Sequence, residues 1–159
     1  KGAIPMPFDP LWLLVLIPLA LLVVVFIVMK RKEKTDKADA IQTLDKLSDL
    51  IKEEGRYVMT TKKGTYSLVF FNVPSQGELT VNSLKVFEIA TFRQTIRVDT
   101  DGLFKSGENT LVVVYPSLHP IKRYINENEM VFTSVLKPFS GVRIGTLPEI
   151  ERAIKEGTI

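Results

Sequence analysis

Residues 10–29 read PLWLLVLIPLALLVVVFIVM, and this stretch decides the architecture of the chain. Its twenty residues include no charge, no amide and no hydroxyl. At about 1.5 Å per residue, a helix of this length is roughly 30 Å long, which matches the hydrocarbon core of a bilayer. The stretch therefore predicts a transmembrane helix over residues 10–29, preceded by a short outer tail of residues 1–9.

The residues that flank this span predict its anchoring and its orientation. Trp12 is typical of an aromatic anchor at the membrane surface. Basic side chains that can reach the lipid head groups follow the apolar run at Lys30, Arg31, Lys32 and Lys34. Only Lys1 is basic on the other side. The positive-inside rule then predicts the tail outside and residues 30–159 on the cytoplasmic side, with the lipid bilayer as a partner.

The start of the chain also bears on the family. A Lys-Gly pair ahead of an apolar helix resembles the processing site of type IV pilin-like proteins. Pro5, Pro7 and Pro10 interrupt the position where the pilin helix would begin, and the basic cluster after Met29 would break its continuation. An extracytoplasmic, pilus-like or surface subunit is therefore an alternative, which a reversed orientation would favour.

Residues 30–55 are interpreted as a basic stop-transfer segment followed by an amphipathic connecting helix. Apolar residues recur at spacings of four, three and four, at Ala40, Leu44, Leu47 and Ile51. This spacing predicts one narrow stripe on a helix that ends near Glu54, with Gly55 as its C-terminal cap. The stripe either packs on its own domain or binds a partner helix.

Residues 56–159 predict a β-rich α+β domain, either a sandwich or an open barrel. β-Branched and aromatic residues dominate, and turn residues recur at short intervals. The expected strands are 57–61, 65–71, 78–82, 95–99, 111–115, 130–136 and 142–144. Residues 84–92 fit either a helix or a strand, and we favour a strand. Residues 111–115 and 131–136 are apolar on both faces of their strands, which favours interior positions. Thr146 and Glu149 form a capping-box pattern that predicts a short C-terminal helix ending at Gly157.

The residue types exclude several kinds of chemistry. The chain has no cysteine, so disulfides, cysteine metal sites and thiol catalysis are excluded. His119 is the only histidine and lies beside Pro120, where solvent exposure is expected. The acidic pairs 99/101 and 127/129 are interpreted as solvated turn residues. No glycine-rich phosphate loop is present, and we expect no cofactor and no metal.

A second candidate partner surface is basic. It comprises Arg93, Arg97, Lys122 and Arg123, which would hold a phosphate or an acidic partner if the strands brought them together. The alternative is that these residues protect exposed strand edges. The net charge of +3 is small, and much of the positive excess lies beside the span, so no specific nucleic acid is expected.

These observations favour a membrane-anchored structural, binding or assembly module over a catalyst. The expected role is a small single-pass subunit of a membrane-bound complex or of an enveloped particle. Its partners would be other protein subunits or further copies of itself. The alternative to this binding role is an enzyme at the membrane surface that uses an unrecognised site.

Overall fold

The computed structural model describes residues 11–104 and 109–159, with only the backbone described for residues 11–13. Two compact units are present, Lys1–Thr35 and Asp36–Ile159. The first helix, α1 (Leu11–Asp45), runs through the described part of the first unit and ends inside the second.

The part of α1 in the first unit exposes apolar side chains in every direction. From residue 14 to residue 29 its large apolar side chains are between 44% and 71% exposed. A core helix of a water-soluble domain would cover at least one face. Within the described residues this is the one helix long and apolar enough to cross a membrane. The predicted span is thus present as a candidate membrane helix.

In its described residues, the second unit contains ten strands and a second helix. In chain order they are β1 (Asp49–Glu53), β2 (Arg56–Thr61), β3 (Gly64–Val73), β4 (Glu78–Val81), β5 (Val86–Ala90), β6 (Thr95–Asp99), β7 (Thr110–Pro116), β8 (Lys122–Asn126), β9 (Glu129–Phe132), β10 (Val142–Thr146) and α2 (Leu147–Lys155). The first sheet has the order β1-β2-β3-β7-β10, and the second has the order β6-β5-β4-β8-β9. Both sheets mix parallel and antiparallel pairs.

Two apolar clusters hold three layers together. The first cluster joins the two sheets and includes Phe71 and Val112 of the first sheet with Phe87 of the second. The second cluster covers the other face of the first sheet, where Leu44 of α1 and Ile150 of α2 pack with strand residues. The domain is therefore sandwich-like, and in the described residues neither sheet closes into a barrel.

The most apolar run of the domain sequence forms strand β7. It pairs in parallel with β3 on one side and with β10 on the other. Residues 110–115 are all buried, because one face meets the second sheet and the other meets the helices. A strand buried on both faces reads as a continuous apolar run, so the predicted interior position is confirmed. The interior strand predicted for 131–136 is wrong, since β9 is an edge strand that ends at Phe132. Of the residues beyond it, Val135 is buried in the core.

The connecting helix was predicted to reach Glu54, and this is wrong. The helix ends at Asp45, where the amide and hydroxyl of Ser48 both donate to the carbonyl of Leu44, at 3.0 and 2.9 Å. Residues 49–53 instead form β1 and pair with β2. Gly55 closes this hairpin rather than the helix. It has a φ of 82° after Glu54 at 45°, and two consecutive positive φ values suit a two-residue hairpin turn.

The structure also tests the sequence-based expectations for residues 122–136 and for the C-terminal helix. Strand β8 was not predicted, and β9 stops at Phe132 rather than at residue 136. Thr146 is the N-cap of α2 as predicted, but its side chain makes no capping hydrogen bond. Glu149 accepts a hydrogen bond from the amide of Val135 at 2.8 Å instead. Gly157 follows the helix with a positive φ of 66°, as expected.

Candidate interaction surfaces

The predicted apolar stripe is divided by the end of α1. Ala40 and Leu44 are 1% and 0% exposed, and Leu44 belongs to the cluster under the first sheet. Leu47 lies in the turn after the helix and is half-buried, whereas Ile51 lies on β1 and is exposed. Two of the four residues therefore pack inside their own domain. The stripe forms no continuous helical surface for a partner.

The predicted basic residues alternate with acids on the second sheet. The register places Arg97, Glu88, Thr80 and Lys122 side by side across four strands. The guanidinium Nε of Arg97 lies 2.8 Å from Glu88 Oε1, and Lys122 donates to Glu78. This face is thus a ladder of opposite charges, not a concentrated basic patch.

The other two basic residues lie elsewhere. Strand alternation turns Arg123 to the opposite face of β8 from Lys122, and its guanidinium carbon lies 4.2 Å from the centroid of the Phe139 ring. Arg93 lies in the turn between β5 and β6, with its guanidinium carbon 5.1 Å from the Phe92 ring centroid. The structure therefore does not bring the four basic residues together.

The contact between Glu78 and Lys122 shifts the pKa of both side chains. The hydrogen bond and positive charge of Lys122 lower the pKa of Glu78 below its ordinary value. The hydrogen bond from Glu78 in turn raises the pKa of Lys122. Both carboxylate and ammonium are therefore held charged on this face at neutral pH.

Next to this ladder lies an apolar surface that the sequence analysis missed. Tyr124 pairs with Met130, and Lys122 pairs with Phe132, so the three apolar side chains share one face. They are 47%, 40% and 58% exposed. We call Tyr124, Met130 and Phe132 the β8–β9 patch. Residues 130–132 are all apolar, so the sequence alone does not show which of them face outward, and only the strand register identifies the patch.

The described residues contain a groove but no cluster suited to a metal ion. The groove has a volume of about 600 Å³ and is lined by Glu53, Glu54, Arg56, Val58, Thr65, Ser67 and Asn109. No group of three or more histidine, cysteine or acidic residues suited to a metal occurs in the described part of the chain. His119 is exposed, and Asp99 accepts a hydrogen bond from the Asp101 amide in a turn.

The residues predicted to lie at the membrane surface belong to the first unit. Lys30, Arg31, Lys32 and Lys34 are exposed. The Lys30 ammonium lies 5.0 Å from the centroid of the Phe26 ring, so it reaches back along the apolar helix. The side chain of Trp12 lies outside the described residues. The interface role of these residues remains a prediction.

No protein-family model matches the chain, and no curated protein or solved structure is significantly similar to it. Its function is therefore inferred from its own residues.

Proposed function

We propose that this chain is a single-pass, membrane-anchored binding module that holds a protein subunit at the membrane surface through the β8–β9 patch. The observation that supports the anchor is the exposure of every large apolar side chain of α1 between residues 14 and 29. In water such a helix would leave a large apolar surface uncovered, whereas lipid is a suitable solvent for it.

The β8–β9 patch supports the binding role. Its three apolar side chains lie next to one another at the edge of the second sheet, with the charged ladder beside them. A contiguous exposed apolar surface with a polar border is typical of a protein interaction site. Aromatic residues and methionine are also enriched in such sites. The partner expected from this chemistry is a folded protein subunit with an apolar contact surface.

The orientation belongs to the same proposal. The basic residues after the span favour a cytoplasmic position for the β domain. Protease added to sealed cells should leave residues 56–159 intact, and detergent should make them accessible. Digestion of this domain from outside sealed cells would reverse the orientation and favour the pilus-like or surface-subunit alternative.

The binding role is tested by crosslinking and by substitution in the full chain. A photo-reactive residue in place of Phe132 should give a defined adduct in native membranes, and the same residue in place of Lys62 on an exposed turn should give none. The double variant M130S/F132S should release the crosslinked subunit from the complex. Because both side chains are exposed, the melting temperature of the domain should stay close to that of the parent chain. An intact complex in the folded double variant would refute this contact surface.

A further inference from the structure

The two most exposed large apolar side chains in the described residues of the second unit are not in the β8–β9 patch. Phe92 is 88% exposed and Leu118 is 71% exposed. Both lie in loops: Phe92 is in the turn between β5 and β6, and Leu118 follows β7. Single exposed apolar residues need no explanation, but these two share a location.

Hydrogen bonds and strand pairing place both loops at one end of the sandwich. The hydroxyl of Ser117 donates to the carbonyl of Gly77 at 2.7 Å, and this fixes the Leu118 loop beside the start of β4. The next residue, Glu78, pairs with Ala90 at the end of β5. Phe92 lies two residues beyond Ala90. The chain of contacts therefore runs directly from one apolar loop to the other.

The same end of the domain is where the polypeptide enters from the span. Leu118 lines a small cavity of about 180 Å³ together with Asp36 and Asp39, the first residues of the second unit. Asp36 is six residues beyond Lys30, so the covalent chain limits their separation to about 20 Å even if fully extended. The covalent chain therefore keeps the Leu118 loop within reach of the residues that follow the candidate span.

The turn that carries Phe92 is ordered and carries a cation. The amide and the hydroxyl of Thr91 both donate to the Gln94 carbonyl at 2.9 Å, which closes the turn. Arg93 lies against the Phe92 ring. An aromatic ring beside a guanidinium suits the lipid interface, where the ring enters the apolar layer and the cation meets a phosphate. The acidic residues Asp36 and Asp39 lie beside Leu118, and Glu78, which pairs with Ala90, is bonded to Lys122.

From this arrangement we propose that Phe92 and Leu118 insert into the surface of an anionic bilayer, with Arg93 bound to lipid phosphate, and dock the β domain on the membrane that holds its anchor. This inference rests on the membrane anchor of the proposed function. It adds a second contact with lipid, which fixes how the domain presents the β8–β9 patch.

Site-directed spin labelling tests the insertion on the full chain, which has no native cysteine to interfere. The variants F92C and L118C, labelled and reconstituted in phosphatidylcholine vesicles with added phosphatidylglycerol, should collide more with oxygen and less with a water-soluble nickel chelate. F132C is the matched control, because it replaces an exposed phenylalanine outside the proposed docking surface. The ratio of oxygen to nickel collisions should be severalfold higher at 92 and 118 than at 132.

A charge variant tests the role of Arg93. R93E should lower the collision ratio at position 92 in vesicles with phosphatidylglycerol, and should change it little in pure phosphatidylcholine. Equal ratios at positions 92, 118 and 132 in both kinds of vesicle would overturn the proposal. Flotation of the same vesicles after alkaline treatment separates this outcome from a failed anchor. A chain that floats with water-exposed labels disproves only the docking, whereas a chain that does not float disproves the anchor.

Discussion

The two parts of α1 use apolar residues in opposite ways. In the first unit, residues 14–29 expose large apolar side chains in every direction. In the second unit, Ala40 and Leu44 on the last turns are almost fully buried under the first sheet. The helical backbone is the same in both parts, but the surroundings that the side chains require are different.

This difference shows that the spacing of apolar residues along a helix, and not their number, indicates whether the helix faces lipid or packs on protein. An unbroken apolar run offers no polar face to water and is typical of a helix that crosses a membrane. Ala40 and Leu44 are four residues apart with polar residues around them, so they cover one protein surface and leave the other faces to water. The predictions below test each side of this comparison.

We expect the largest loss of stability from a substitution in the core of the domain. Leu44→Ala removes a fully buried side chain that packs between the helices and the first sheet. A substitution of this kind costs about 2–5 kcal/mol. We therefore expect a marked fall in the free energy of unfolding of the β domain, measured by chemical denaturation of the full chain in detergent.

Ile51→Ala is the matched control for Leu44→Ala, because Ile51 belongs to the same predicted stripe but is exposed on β1. Exposed substitutions usually change stability by less than about 0.5 kcal/mol. If both variants lost equal stability, the division of the stripe between a buried and an exposed part would be wrong.

A charge in the span tests the other side of the comparison. Leu21→Arg places a guanidinium near the middle of the candidate membrane helix, at a cost of about 2.5–3.5 kcal/mol on insertion scales. Stable insertion should fall sharply, as measured by resistance to alkaline extraction. Lys32→Ala should leave insertion intact and weaken only the orientation. Normal extraction resistance in Leu21→Arg would contradict a lipid environment for this segment.

The sequence was sufficient to predict strands that show either a continuous apolar run or a regular alternation of apolar and polar residues. The apolar run 111–115 and the alternating run 95–99 both became strands close to the expected bounds. It was insufficient at β1, because residues 46–54 also fit a helical pattern and only pairing with β2 decides between the two states. Glu149 shows the same limit. A capping box predicts a local contact, yet the carboxylate bonds to Val135, fourteen residues away.

The candidate surfaces were harder to predict than the fold, because they depend on register. The four basic residues were considered as one set, but the pairing of β4, β5, β6 and β8 places Glu88 and Glu78 among them. The β8–β9 patch was missed since β8 itself was not predicted. A sequence pattern shows which residues share a face of one strand, but it does not show which strands are neighbours.

A moderate effect is expected where the helical layer meets the first sheet. A Cβ at Gly145 would lie 3.0 Å from Val135 Cβ and 3.3 Å from Ile150 Cγ1. Gly145→Ala should therefore cost about 1–3 kcal/mol through overpacking. Thermal unfolding would measure this loss. An unchanged melting temperature in Gly145→Ala would show that α2 is not tightly packed on β10.

The smallest effect is expected on the outer face of the second sheet, where charges, like the apolar residues of the span, lie outside the protein core. Lys122 lowers the pKa of Glu78 in the folded state, so the pair stabilises the fold above the ordinary pKa of a glutamate. This contribution is lost as the pH falls through the lowered pKa. Glu78→Gln should therefore reduce the acid dependence of the melting temperature slightly, since exposed ion pairs contribute little. Glu127→Gln, on an exposed turn, is the charge-matched control. If both variants changed the acid dependence equally, net charge and not the Lys122 contact would account for it.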